Sequence, residues 1–257
     1  MNIKCVYHIK SQDPFASCDN IISSTILVYI AYLFAFSAFV LNYATFHLSL
    51  NLRKNTLIFQ HLSLNLADSM VSIYLIIILT ANYLYHGEKG YVALFWKRSI
   101  LCKVAGVTMM LSVNSSNLST FVIATDMFIC LVWKEFQRMG LSLFQTTIGL
   151  ASMWIVSILI PLLSIRLSHK PIENSACIPI GVSIPTHISV IYVTLCFLVF
   201  ACTLIMYSSV LWKIVTSLRF QMSTHMRVHN IIGKLGCVIF TNFFITMVVT
   251  LLSLISL

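Results

Sequence analysis

The sequence predicts an all-α membrane protein, a bundle of six transmembrane helices, and three observations carry that prediction. Of its 257 residues, 59% are apolar and only 9% charged, against about 25% charged in a soluble chain. Apolar runs occur at roughly 21–46, 57–83, 101–133, 141–165, 186–212 and 234–257, each able to cross a hydrocarbon core of about 30 Å as a helix of about 20 residues. The runs are continuous, as in IISSTILVYIAYLFAFSAFVL, whereas strands of a membrane barrel alternate apolar and polar residues in segments of about ten.

Charge and motifs exclude other classes. The net charge of +9 is spread over Lys and Arg placed singly or in pairs, with no basic stripe of the kind that binds nucleic acid. There is no phosphate loop, nucleophile elbow or paired-carboxylate site, so no enzyme and no catalytic residue is expected. His225 and His229 are four apart, a spacing that on a helix can hold zinc. No acidic third ligand lies near them, and a solvated loop is the plainer reading, so no resident metal is expected there.

The elements follow in order. Residues 1–20, MNIKCVYHIKSQDPFASCDN, lack the apolar core of a cleaved signal peptide and are expected as an N-terminal segment ahead of a single membrane domain, 21–257. The first span would then act as its own insertion signal, or the chain is a fragment of something longer. The second span carries Asp68 within LNLADSMVSIYL, and an aspartate this deep must face the bundle interior. In the third, Cys102 precedes Asp126 by 24 positions, about 36 Å of helix. A cysteine at one membrane face therefore predicts the acid at the other, where water or a loop cation such as Arg138 reaches it. Asn114 and Asn117 each open a glycosylation sequon but lie inside the span, so they are read as polar groups facing the bundle. After the fifth span, SLRFQMSTHMRVHNIIGK either extends the fifth and sixth helices or forms a basic face for lipid headgroups.

Basic residues in the connectors divide evenly between the two sides and leave the orientation open. The cysteines do not. Cys5, Cys18, Cys102 and Cys177 fall on the N-terminal side, while Cys130, Cys196, Cys202 and Cys237 lie in spans or at their ends. Disulfides persist in oxidising compartments, so the N-terminal side is expected to be extracellular and the protein to sit in the plasma membrane. Four unpaired thiols are the competing reading.

A cysteine opening the third helix, an acid 24 positions on and an aromatic two further resemble a rhodopsin-like G-protein-coupled receptor. Leu64, Ala67 and Asp68 resemble the family's L-x-x-A-D, and Ile73, Tyr74 and Leu75 look like the I-Y-L of leucine-rich-repeat receptors. PFASCDNII, residues 14–22, is similar to the F-N-P-C-E-D-I-M segment of glycoprotein-hormone and relaxin receptors. Cys177 to Ile180 look like the C-x-P-L of their second outer loop, and Lys234 with VIFTNF, 238–243, like their sixth helix. Asn42, Trp96, Trp154 and Tyr207 are further family-like landmarks, and the resemblance covers nearly the whole chain.

The resemblance implies a Cys102–Cys177 disulfide, with Cys18 bonded within the N-terminal segment, to Cys5 as one choice. It implies a sodium site at Asp68 with Ser116 as its partner; a neutral aspartic acid bonded to neighbours is the alternative reading. It implies a peptide or glycoprotein hormone outside and a heterotrimeric G protein inside, with membrane lipid around the helices. Asp126, Met127 and Phe128 occupy the inner switch, with Tyr207 and Lys234 beside it by family position. Three departures stand out. Met127 replaces an arginine and its five donors. Val248 replaces a sixth-helix proline and Asn242 an aspartate, so the sixth helix is expected to be straighter. No seventh helix or N-P-x-x-Y follows LLSLISL, and no leucine-rich ectodomain precedes, which reads as an incomplete or divergent receptor. A non-signalling membrane partner derived from that family is the second reading. A small transporter is the third, although its usual paired repeats or broken helices are not evident.

Overall fold

The computed structural model describes residues 22, 24–50, 56–84, 96, 98–133, 141–167, 177 and 186–218. Among them lie five long helices: α1 (Thr25–Leu50), α2 (Thr56–Leu84), α3 (Ile100–Leu131), α4 (Leu143–Leu167) and α5 (Thr186–Leu218). The apolar run 234–257, expected as a sixth span, lies outside the described residues, and so do Cys5, Cys18, Arg138, His225, His229, Lys234, Asn242 and Val248.

Helix starts follow from local side-chain chemistry. Ser99 is extended and its hydroxyl accepts the Cys102 N–H at 3.1 Å, capping α3. Before α4, Ser142 and Gln145 bond reciprocally: the Gln145 N–H reaches the Ser142 hydroxyl at 3.3 Å, and the Ser142 N–H reaches Gln145 Oε1 at 3.0 Å. This is a capping box with glutamine in the third place. Pro161 lies buried inside α4; a membrane helix tolerates such a break because neighbouring groups take up the freed carbonyl.

Four of these helices are long and apolar enough to cross a membrane. The third does not reach that mean hydropathy, because its middle reads VNSSNLST. The expectation of a helical membrane bundle is met, and the low hydropathy of the third helix has its reason in position. α3 packs against α2, α4 and α5, so Ser112, Asn114, Ser115, Ser116, Ser119 and Thr120 are all buried in protein and the helix need not satisfy lipid all round. α1, by contrast, packs chiefly against α2 and buries only Ala35 fully. α5 runs 33 residues, about 50 Å, which exceeds the hydrocarbon thickness and carries the helix beyond the expected end at 212.

Candidate functional site

The antiparallel α2–α3 seam carries a ladder of hydrogen bonds that runs from Ala67 and Asp68, opposite Ser112 and Ser116, to Gln60, opposite Asp126. Ser112 donates to the Ala67 carbonyl at 2.6 Å and Ser116 to Asp68 Oδ1 at 2.8 Å. Ser63 and Ser119 share a bond at 3.3 Å, and Gln60 Nε2 donates to Asp126 Oδ2 at 3.1 Å. Two of the acids singled out in the sequence thus lie on one seam, Asp68 near its middle and Asp126 at its end. Trp154 of α4 joins them, its indole N–H donating to Ser63 Oγ at 2.9 Å, while Ser119 also donates to Met153 Sδ at 3.3 Å.

At the Cys102 end, the disulfide with Cys177 is formed, with Cα atoms 5.2 Å apart and 75 positions between them. Cys177 sits in the left-handed region at φ 61°, a conformation costly for a residue with a Cβ. Tyr74, Ile78, Ala81, Trp96 and Ala105 bury the pair, and Ile22 packs against the same cluster. The Ile22 N–H donates to Asn82 Oδ1 at 2.9 Å, which lays the chain just before α1 across the end of α2.

At the other end, Asp126 is held from two further elements. Besides Gln60, the Leu141 N–H donates to Oδ1 at 3.0 Å, and the Cys130 thiol lies 3.9 Å from the same oxygen. Gln60 is buried and Leu141 leads directly into the α4 cap, so the carboxylate fastens α2 and the entry to α4 onto α3. A backbone amide and a neutral side chain, rather than a cation, are its partners among the described residues. Met127 points round the helix toward α5, half-buried in a cluster with Ala124, Tyr207 and Val210 that also takes in Phe128, Val132 and Met206. The Tyr207 hydroxyl is buried and has no hydrogen-bond partner among the described residues. Met127, Phe128 and Tyr207 are thus brought together, but by apolar contact.

Around Asp68 the donor chemistry suits a hard cation: a carboxylate, the Ser116 hydroxyl, and Ser72 one turn further along α2, all oxygens. Among the described residues no group of three His, Cys, Asp or Glu forms a transition-metal site. Between α3 and α5, Tyr192 donates to Asn114 Oδ1 at 2.5 Å. The sequence had marked Asn114 only as a buried polar group, and Tyr192, Gln60, Ser63 and Asn82 not at all. Their one signal is a polar atom inside a long apolar run, which marks an inward face but does not name a partner.

No protein-family model matches the chain. Over 174 residues, 67% of this chain, the sequence is 29% identical to the G-protein coupled receptor GRL101 of Lymnaea stagnalis, and the match spans 15% of that relative's length. Taken with several apolar helices and the Cys102–Cys177 bond, the likeness fits a multi-pass membrane protein similar to G-protein-coupled receptors, with a receptor-like role in general.

Proposed function

We propose that the chain is the helical transmitter of a rhodopsin-like receptor of the leucine-rich-repeat, relaxin-receptor-like group, carrying an extracellular peptide or glycoprotein-hormone signal to a heterotrimeric G protein. The observation that carries this reading is α3 itself. One continuous helix is tied at one end to Cys177 by a disulfide and at the other to α2, α4 and α5 through Asp126 and Met127. Displacement of the outer loop would be felt at the inner ends of three helices, because packed interfaces switch between discrete arrangements. In this reading the N-terminal side faces out of the cell, residues 1–20 are extracellular and 21–257 form the membrane domain. Asp68 and Ser116 would hold a sodium ion whose charge offsets the buried carboxylate.

Met127 sets the expected behaviour. A methionine within an apolar cluster offers no donor to Tyr207 or to a G protein, so the resting arrangement is favoured. Cells expressing the chain at their surface should show cAMP at background, and Met127→Arg should raise constitutive cAMP several-fold. Background levels in both, with surface delivery verified, would overturn the signalling reading. That outcome favours the second reading, a non-signalling membrane partner derived from such receptors, to which the apolar Met127 contact also points.

A further inference from the structure

Two of the hydrogen bonds that leave α3 end on sulfur. The Ser119 hydroxyl donates to Met153 Sδ of α4 at 3.3 Å, and the Thr125 hydroxyl to Met206 Sδ of α5 at 3.6 Å. A thioether is a weak acceptor, so neither contact binds the helices strongly, and Thr125 already donates to the Phe121 carbonyl at 2.8 Å. The two methionines differ in access. Met153 is 5% exposed, whereas Met206 is partly exposed at the edge of the cluster of Ala124, Tyr207 and Val210. Met127 packs on that same cluster and is also partly exposed, with no hydroxyl on its sulfur among the described residues.

Met206 thus combines a reachable thioether, apolar surroundings and an O–H aimed at the sulfur. Apolar surroundings favour a thioether over a thiol as the target of an oxidant. A cysteine reacts as its thiolate, an ion that hydrocarbon does not accept, while a methionine has no proton to lose. Cys202, exposed one turn away on α5, is therefore the slower reactant.

We propose that Met206 is a modification site, oxidised to the sulfoxide by hydroperoxides, with the Thr125 hydroxyl receiving the transferred oxygen. The sulfur lone pair attacks the terminal oxygen of R–O–O–H, and the S–O bond forms as the O–O bond breaks. The electron pair of the broken bond leaves with the R–O fragment, which takes the proton from the transferred oxygen and departs as R–OH. Sulfur is oxidised by two electrons and the peroxide reduced by two. Negative charge grows on the transferred oxygen, where the Thr125 O–H meets a far better acceptor than the thioether it replaces. The product is polar where the reduced side chain is apolar, so the modification alters the α3–α5 contact on the cluster that Met127 shares. The site needs no G protein and stands apart from the signalling reading.

Peptide mass mapping of the full chain in phosphatidylcholine vesicles, after timed exposure to cumene hydroperoxide or to hydrogen peroxide, tests this. Met206 should gain one oxygen about fivefold faster than Met127, the margin that one neutral hydrogen bond supplies, and Met153 should lag behind both. Thr125→Val, which keeps the shape, should bring Met206 down to the Met127 rate, and Thr125→Ser should keep it high. A lead for Met206 in the cumene hydroperoxide arm marks an oxidant dissolved in the membrane, and a lead in the hydrogen peroxide arm an aqueous one. Equal rates at Met206 and Met127 in both arms overturn the proposal, a comparison within the wild-type chain that depends on no variant folding. So does a folded Thr125→Val chain whose Met206 reacts as fast as in the wild type.

Discussion

Asp68 and Asp126 are both acids in apolar helices, and their neighbours give them different tasks. Asp126 lies at a helix end with two N–H donors, one per oxygen. Asp68 lies mid-helix, where the Ser116 hydroxyl donates to it at 2.8 Å and an ionised carboxylate costs about 2.5 to 3.5 kcal/mol on insertion scales. A monovalent cation on the remaining oxygens would offset that cost, and Ser116, still able to accept, would share it. Purified chain should therefore melt about 2 to 4 °C higher in sodium chloride than in choline chloride of equal ionic strength, the shift that ~1 kcal/mol produces in a chain of this size. Asp68→Asn should abolish the difference. Equal melting of the wild type in both salts would remove the cation from the account.

Among the elements, α3 carries the organisation and departs most from the rule that a membrane helix is apolar. Its serines and asparagines bond to α2, α4 and α5, so the polarity that lowers its hydropathy is the same polarity that fixes its neighbours. The joint at Asp126 gives an element-scale expectation. Asparagine keeps the shape but converts one acceptor oxygen into a donor, so Asp126→Asn should lose one of the bonds to Gln60 or Leu141 and about 1 to 2 kcal/mol. Gln60→Leu should cost a similar amount, and the double variant should cost less than the two losses together, since the two side chains share one joint and its geometry. Full additivity in thermal unfolding would mean that the two side chains are not coupled.

Across the whole molecule, the Cys102–Cys177 bond closes a long loop that contains α4. Chain-entropy arithmetic for that separation gives about 4 kcal/mol, an upper figure because inserted helices keep much of their order when packing is lost. Cys102→Ser, Cys177→Ser and the double variant should be destabilised alike, and each should reach the cell surface poorly. A double variant as stable as wild type would show the bridge to be dispensable. Cys177 also sits at positive φ, so the bridge and the buried Trp96 and Tyr74 around it hold a backbone that would otherwise relax.

Membrane class, the helical state and the placement of Cys102 and Asp126 near opposite ends of one rod were readable from the sequence, because they depend on local quantities: run length, hydropathy and 1.5 Å per residue. Asp68 and Ser116 were paired through resemblance, and they meet at hydrogen-bond distance. Which polar group faces which was not readable. Gln60 and the Leu141 amide lie 66 and 15 positions from Asp126, and a side chain's periodicity names its face without naming what stands opposite. Met127 shows the limit most plainly: the sequence marked a lost arginine, and only the packing of α5 against α3 revealed an apolar contact in its place. Tertiary structure decided these partners because lateral helix packing in lipid turns on close fit and shared hydrogen bonds between remote segments, which no single stretch of chain encodes.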